Sequence, residues 1–206
     1  MKTKKPMLKE TVGALYLAFN TPNDKGEFDV ATYEETSKSE VVKSISTTEN
    51  AESTTVRASG QDYMTLSQNS SIDQAVEVIA FDAEDVAKMR ADKVGKYLVK
   101  SGSTGERPYF AFGKVVKRTG GKVEYVWYPK CQLIENTDDI STSEESFNEQ
   151  NDTLTIRAYA YNTEGDKSVR VNSEMSNFPE GLTEEKFFTK PLTTDDEIEA
   201  LITAGA

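Results

Sequence analysis

The sequence predicts a mainly β-stranded, α+β chain with one helix and polar terminal arms. Alternating patterns recur along it, a Gly-Gly pair separates two apolar-rich runs, and a single segment carries a helix cap, a helical apolar stripe and a stop in order. At 206 residues the chain fits one domain with substantial arms.

Residues 1–10 read as a basic, polar arm. The β-compatible run 12–19 closes at Asn20, Pro22, Asn23 and Gly26, a cluster of turn formers. Residues 39–66 are Ser/Thr-rich with alternating positions such as Val41, Lys43, Ile45 and Thr47, and they read as two strands joined near Glu49, Asn50 and Ala51. Their second face, Val42, Ser44, Ser46 and Thr48, is small and mostly hydroxylated, unlike an ordinary charged solvent face. Residues 73–81 read as an inner strand apolar on most of both sides. Asp82 stands as an N-cap for a helix over 83–94, with Val86 and Met89 on one face and Gly95 as the stop. In that setting Asp82 and Asp85 serve the helix start rather than catalysis.

Runs 109–118 and 122–128 flank Thr119, Gly120 and Gly121, which predicts a hairpin whose turn needs positive φ. Trp127 and Tyr128 read as core aromatics. An acidic, Ser/Asn-rich connection over 135–152 leads to another strand, in which Leu154, Ile156, Ala158 and Ala160 alternate with Thr155, Arg157, Tyr159 and Tyr161. Beyond Met175 the pattern loosens into an acidic arm over 176–206 with a short helix at 195–202. The domain is expected to span 11–175.

Charge is placed unevenly. The net charge is −11, and residues 132–206 hold 17 acidic against 5 basic side chains, so this C-terminal part carries the whole acidic surplus. Such a surface disfavours binding DNA or RNA through phosphate neutralisation, although it suits a surface that nucleic acid must slide past. No apolar run approaches the roughly 18 residues of a membrane span, and no signal-peptide core follows the Lys-rich start. The expected compartment is a cytoplasm. Cys131, the single cysteine, reads as a buried small hydrophobe.

Catalysis is not expected. With no histidine there is no Ser-His-Asp or Cys-His chemistry and no His-ligated zinc. Asp138, Asp139, Glu144 and Glu145 cluster, but among Ser, Thr and Asn with nothing apolar to raise a pKa, and without the register of a calcium loop. No dinucleotide or phosphate-binding glycine motif is present, so no cofactor or metal is expected.

Over residues 107–161 the order of features is specific: RPYFAFGKVVKRTGGKVEYVWYPKCQL, an acidic spacer, then NDTLTIRAYAYNTEGD. This resembles the major tail protein (tail tube) family of long-tailed phages of Gram-positive bacteria. TYEET at Thr32 and RASGQDY at Arg57 extend the resemblance more weakly, with departures in the Lys-rich start and the long acidic end. The resemblance implies a phage tail tube fold, with two packed antiparallel sheets forming a sandwich or barrel beside one flanking helix. It also implies a structural subunit of a virion tail, assembled in the bacterial cytoplasm as stacked hexameric rings whose lumen conducts DNA without binding it specifically. Partners would be further copies of the chain and other tail proteins such as the tape measure and tail terminator. Within that frame Val42, Ser44, Ser46 and Thr48 are the candidate lumen face, and Glu49, Asn50, Ala51, Glu52 and Ser53 the candidate inter-ring loop. The alternatives are a tube subunit of a phage-derived bacteriocin and a monomeric β-sandwich binding module.

Overall fold

A computed structural model describes residues 5–102, 105–138, 140–142 and 150–203. The acidic positions Asp139, Glu144 and Glu145 lie outside the described residues. Among the described residues there are ten strands: β1 Lys9–Phe19, β2 Ser37–Ser39, β3 Val42–Ala58, β4 Gln61–Val78, β5 Lys93–Val94, β6 Val99–Lys100, β7 Phe110–Arg118, β8 Lys122–Thr137, β9 Asp152–Ala158 and β10 Val169–Asn172. Three helices accompany them, α1 Ala83–Met89, α2 Glu184–Phe187 and α3 Asp195–Thr203. The main sheet runs β2-β1-β7-β8-β9-β4-β3, all antiparallel, with β10 also on β8, while β5 and β6 form a separate pair.

Strand β8 makes this sheet a sandwich. Its first half pairs with β7 and β10, and its second half with β9. Between the halves one extra β8 residue lies opposite the Phe110 to Phe112 stretch, at Pro129 and Lys130. An extra residue reverses which side chains face inward and bends the strand. Val126 and Tyr128 before the bend, and Cys131 and Leu133 after it, therefore all enter one core. That core lies between a first layer, β2-β1-β7 with the start of β8, and a second layer, the end of β8 with β9, β4 and β3. Leu15, Leu17, Phe110 and Phe112 meet Val76, Leu154 and Ile156 there. The two-layer antiparallel sandwich with a flanking helix matches the expected fold class, and Cys131 and Tyr128 are buried as expected.

A second apolar cluster covers the outside of the first layer. Tyr16, Ala111, Val115, Tyr125 and Trp127 point away from the first core and pack against Leu182, Phe187, Phe188, Leu192 and Ile198. The Trp127 indole N–H donates to the Phe187 carbonyl at 3.1 Å. Residues 176–203 are thus not a free acidic arm. Their apolar residues are too sparse to show a strand or long-helix period, yet α2 and α3 press them onto β1, β7 and β8. The helix expected over 195–202 is α3.

The β7–β8 turn is as expected, with Gly120 and Gly121 at φ of 74° and 71°. Asp82 caps α1 by accepting from the Glu84 and Asp85 amides. This helix ends earlier than the expected residue 94. Ala91 takes a φ of 58°, its amide donates to the Lys88 carbonyl and the Asp92 amide to the Ala87 carbonyl, which is a Schellman closure made without glycine. Strand β4 starts well before residue 73, and its outer side is not buried: Val76 and Val78 enter the core while Ala75 and Ile79 are exposed.

Candidate functional site

The second layer presents an outer face that nothing in the described chain covers. Register sets its side chains in rows: Ser44, Glu77, Thr153 and Thr137 in one; Ser46, Ala75, Thr155 and Glu135 in the next; Thr48, Asp73, Arg157 and Gln132 in a third. No apolar side chain in these rows is larger than alanine. The polar groups are tied to one another. Arg157 holds Asp73 bidentately at 2.7 and 2.9 Å, Asn50 donates to Asp73 at 2.9 Å, and Glu77 accepts from Ser44 Oγ at 3.1 Å and Asn151 at 2.9 Å. The Arg157 bonds hold the Asp73 carboxyl below its ordinary pKa. Paired charges and short hydroxyls give a flat polar wall, slightly acidic through Glu77 and Glu135.

Three of the four residues expected on a hydroxylated face, Ser44, Ser46 and Thr48, lie on this wall. Val42 does not. An extra residue at Lys43 separates the Val42–Val78 pair from the Ser44–Glu77 pair, which turns Val42 inward beside Ile45 against the core. The wall's other members on β4, β8 and β9 escaped the sequence reading, because alternation marks which residues share a strand face but not which strands lie side by side.

Glu49, Asn50, Ala51, Glu52 and Ser53 are not a loop. They continue β3, which runs unbroken to Ala58 and turns at Ser59 and Gly60, with φ of 54° and 79°. The Ser-Gly pair was the legible turn signal. The break near Asn50 is a bulge: Asn50 pairs with Ser71 and Ala51 with Asn69, leaving Ser70 extra, and Asn50 donates to Ser71 and Asp73. Pairing of β4 with β9 stops at Ile72. From there on, β3 and β4 pair only with each other, a ribbon reaching about 25 Å beyond the sheet at roughly 3.3 Å per residue. Near its tip Val56, Tyr63 and Met64 are exposed and Arg57 pairs with Asp62 at 2.7 Å.

The wall also has two edges. β3, 17 residues long, ends the strand order, and among the described residues its one ladder partner is β4. On the opposite side the end of β8 pairs with β9 alone, and the Arg107 guanidinium occupies the Leu133 and Ile134 carbonyls. Beneath the wall, where β1, β3 and β7 meet, a cleft of about 340 Å³ is lined by Lys9, Lys43, Thr47 and Lys114 among others. The Lys114 ammonium donates to Thr47 Oγ1 and, at 3.0 Å, to Gln74 Oε1, and lies 5.3 Å from the Tyr128 ring centre. Burial pushes its pKa down to about 8.

These features define a two-layer β-sandwich with one polar outer wall, a long terminal strand and a projecting ribbon. No family model matches the chain and no curated protein matches it. Among solved structures, a chain in the cryo-EM structure of the anti-feeding prophage baseplate is similar at a TM-score of 0.42 and 9% identity, over 83% of this chain and 97% of that one. A likeness this loose decides nothing about the role of this chain. No helix among the described residues is long and apolar enough to cross a membrane.

Proposed function

We propose that this chain is the structural subunit of a phage-type tail tube, joining further copies through the edges of its second layer so that the polar walls line a common lumen. The observation that carries the proposal is the 17-residue edge strand β3 with its projecting ribbon. A long, open, weakly charged edge is a template for pairing with another chain, and proteins that remain single copies blunt such edges. A two-stranded ribbon is at best marginally stable in water by itself, so one held clear of the domain is suited to packing on a partner.

Closing the edges head to tail makes each copy contribute four strands to one barrel. With six copies, the number the resemblance over 107–161 implies, the barrel has about 24 strands, and 16 to 18 already leave an aqueous channel. The wall facing that channel offers hydroxyls, an internally neutralised Asp73–Arg157 pair and surplus carboxylates, so a polyanion gains no phosphate contacts that would hold it. The role is geometric and electrostatic, and no bond making or breaking is assigned to it.

Excising residues 51–70 and joining Asn50 to Ser71 through Asn-Gly tests this reading. The cut follows the bulge and leaves the pairing of Val42 to Asn50 in register, whereas removing Thr48 to Ser53 alone would unpair β4. Negative-stain microscopy of the concentrated full-length protein should show rings or tubes, and the shortened protein should remain monomeric. Equal assembly by both proteins, or a full-length protein that stays monomeric at every concentration, would overturn the proposal.

A further inference from the structure

The short β5–β6 hairpin after α1 gathers four well-exposed large apolar side chains into one short segment, and nothing in the proposed lumen uses them. Tyr97 is 83% exposed, Val94 70%, Leu98 69% and Val99 56%, and Lys93, Lys96 and Lys100 are exposed among them. Eight consecutive residues thus present four large apolar groups and three ammonium groups with no carboxylate. The hairpin is held at its base and turn: Ser101 Oγ donates to Asp92 at 3.0 Å, and the Gly95 amide donates to the Leu98 carbonyl at 2.8 Å.

Its register contains a conflict. Lys93 lies directly opposite Lys100, and like charges in that position destabilise a strand pair. A carboxylate supplied from outside relieves the repulsion. The apolar pair Val94 and Val99, with Tyr97 and Leu98 at the turn, gains only when covered. The hairpin is therefore built for a surface that is acidic with an apolar margin.

The chain itself has such a surface on α3. Asp195, Asp196 and Glu199 are exposed, and among the described residues no ion pair engages them, whereas Glu197 is occupied by Lys190 at 2.9 Å and by the Thr193 and Thr194 amides. Asp195 and Glu199 are four apart and share a helix face. Ile202, half-buried and three residues beyond Glu199, borders that face and supplies the apolar margin.

We propose that the β5–β6 hairpin of one copy docks on the acidic face of α3 in a second copy, a head-to-tail contact separate from the edges of the polar wall. It rests on the self-assembly reading above. Because the two patches differ, the contact leaves one patch open on each end of a pair and so propagates around a ring or along a stack.

The test mixes two purified full-length variants, Tyr97→Cys and Ala200→Cys, under mild oxidation. Cys131 is fully buried and stays silent. The mixture should form a disulfide-linked heterodimer that neither variant forms alone. That cross-link should be lost when Lys93, Lys96 and Lys100 of the first variant are changed to Glu, and regained when Asp195, Asp196 and Glu199 of the second are changed to Lys. Circular dichroism confirms that each variant is folded; where a charge variant is not, cross-linking of the two cysteine variants with rising salt replaces it, and the yield should fall. No heterodimer, or a yield indifferent to charge reversal or salt, overturns the contact. Cross-linking without tubes by microscopy overturns the tube and keeps the contact, and tubes without cross-linking do the reverse.

Discussion

Lys114 occupies a position where its charge costs the fold energy. Its ammonium is shut beneath the wall with two neutral acceptors, and burial, followed by repulsion from Lys9, lowers its pKa from 10.5 to about 8, with Glu124 opposing. The folded value lies below the unfolded one, so between about pH 8 and 10.5 the unfolded chain binds more protons and stability rises with pH. From pH 7 to pH 9 the gain should be about 1 kcal/mol. The buried tyrosines act in the opposite sense. Burial raises the pKa of Tyr128 to about 12 and raises those of Tyr16 and Tyr33, so their contribution is present below about pH 10 and lost as the unfolded phenols ionise. Urea unfolding should therefore show greater stability at pH 9 than at pH 7, and Lys114→Met should abolish that rise. A wild-type protein with equal stability at both values would refute the assignment.

Element ends show where local rules bend. α1 closes through Ala91 in the left-handed region, where a Cβ is strained and glycine is not. Ala91→Gly should raise stability by about 1 kcal/mol or slightly less, read as a higher urea midpoint at constant m. At β7 the reverse constraint holds. A Cβ on Gly113 would lie 2.7 Å from Phe188 Cε1 and 2.9 Å from Trp127 Cζ3, so this glycine admits α2 onto the first layer. Gly113→Ala should cost about 1–3 kcal/mol, as overpacking does, seen as a lower thermal midpoint. The ribbon behaves differently, since none of its described side chains over 51–69 belongs to either core cluster. Its excision at the bulge should leave the melting temperature nearly unchanged while removing assembly.

The whole molecule depends on its C-terminal segment more than its composition suggests. Leu182, Phe187, Phe188, Leu192 and Ile198 close the second cluster, with the Tyr16 and Phe188 rings stacked at 3.9 Å and Tyr16 donating to Glu184 at 2.6 Å. Each large apolar side chain contributes about 1.5–3 kcal/mol on burial. Losing five removes about 7–15 kcal/mol, as much as a typical domain's whole stability. A chain ending at Met175 should lack a cooperative thermal transition and bind a hydrophobic dye. A sharp transition near that of the full chain would contradict this account.

What the sequence by itself determined was local. Alternation, the Asp82 cap and the Gly120–Gly121 turn are readable because each depends on neighbours within a few residues, and so is the hydroxylated pattern at Ser44, Ser46 and Thr48. Bulges at Lys43, Ser70 and the Pro129–Lys130 bend were not readable, since an extra residue exists only relative to a partner strand. They decided that Val42 faces the core, that Asn50 sits inside a strand, and that β8 serves both layers. Only the tertiary structure set Asp73, Thr155 and Arg157 beside the β3 hydroxyls and folded 176–203 onto Trp127. Those contacts join residues far apart in the chain, and no pattern within one segment records them.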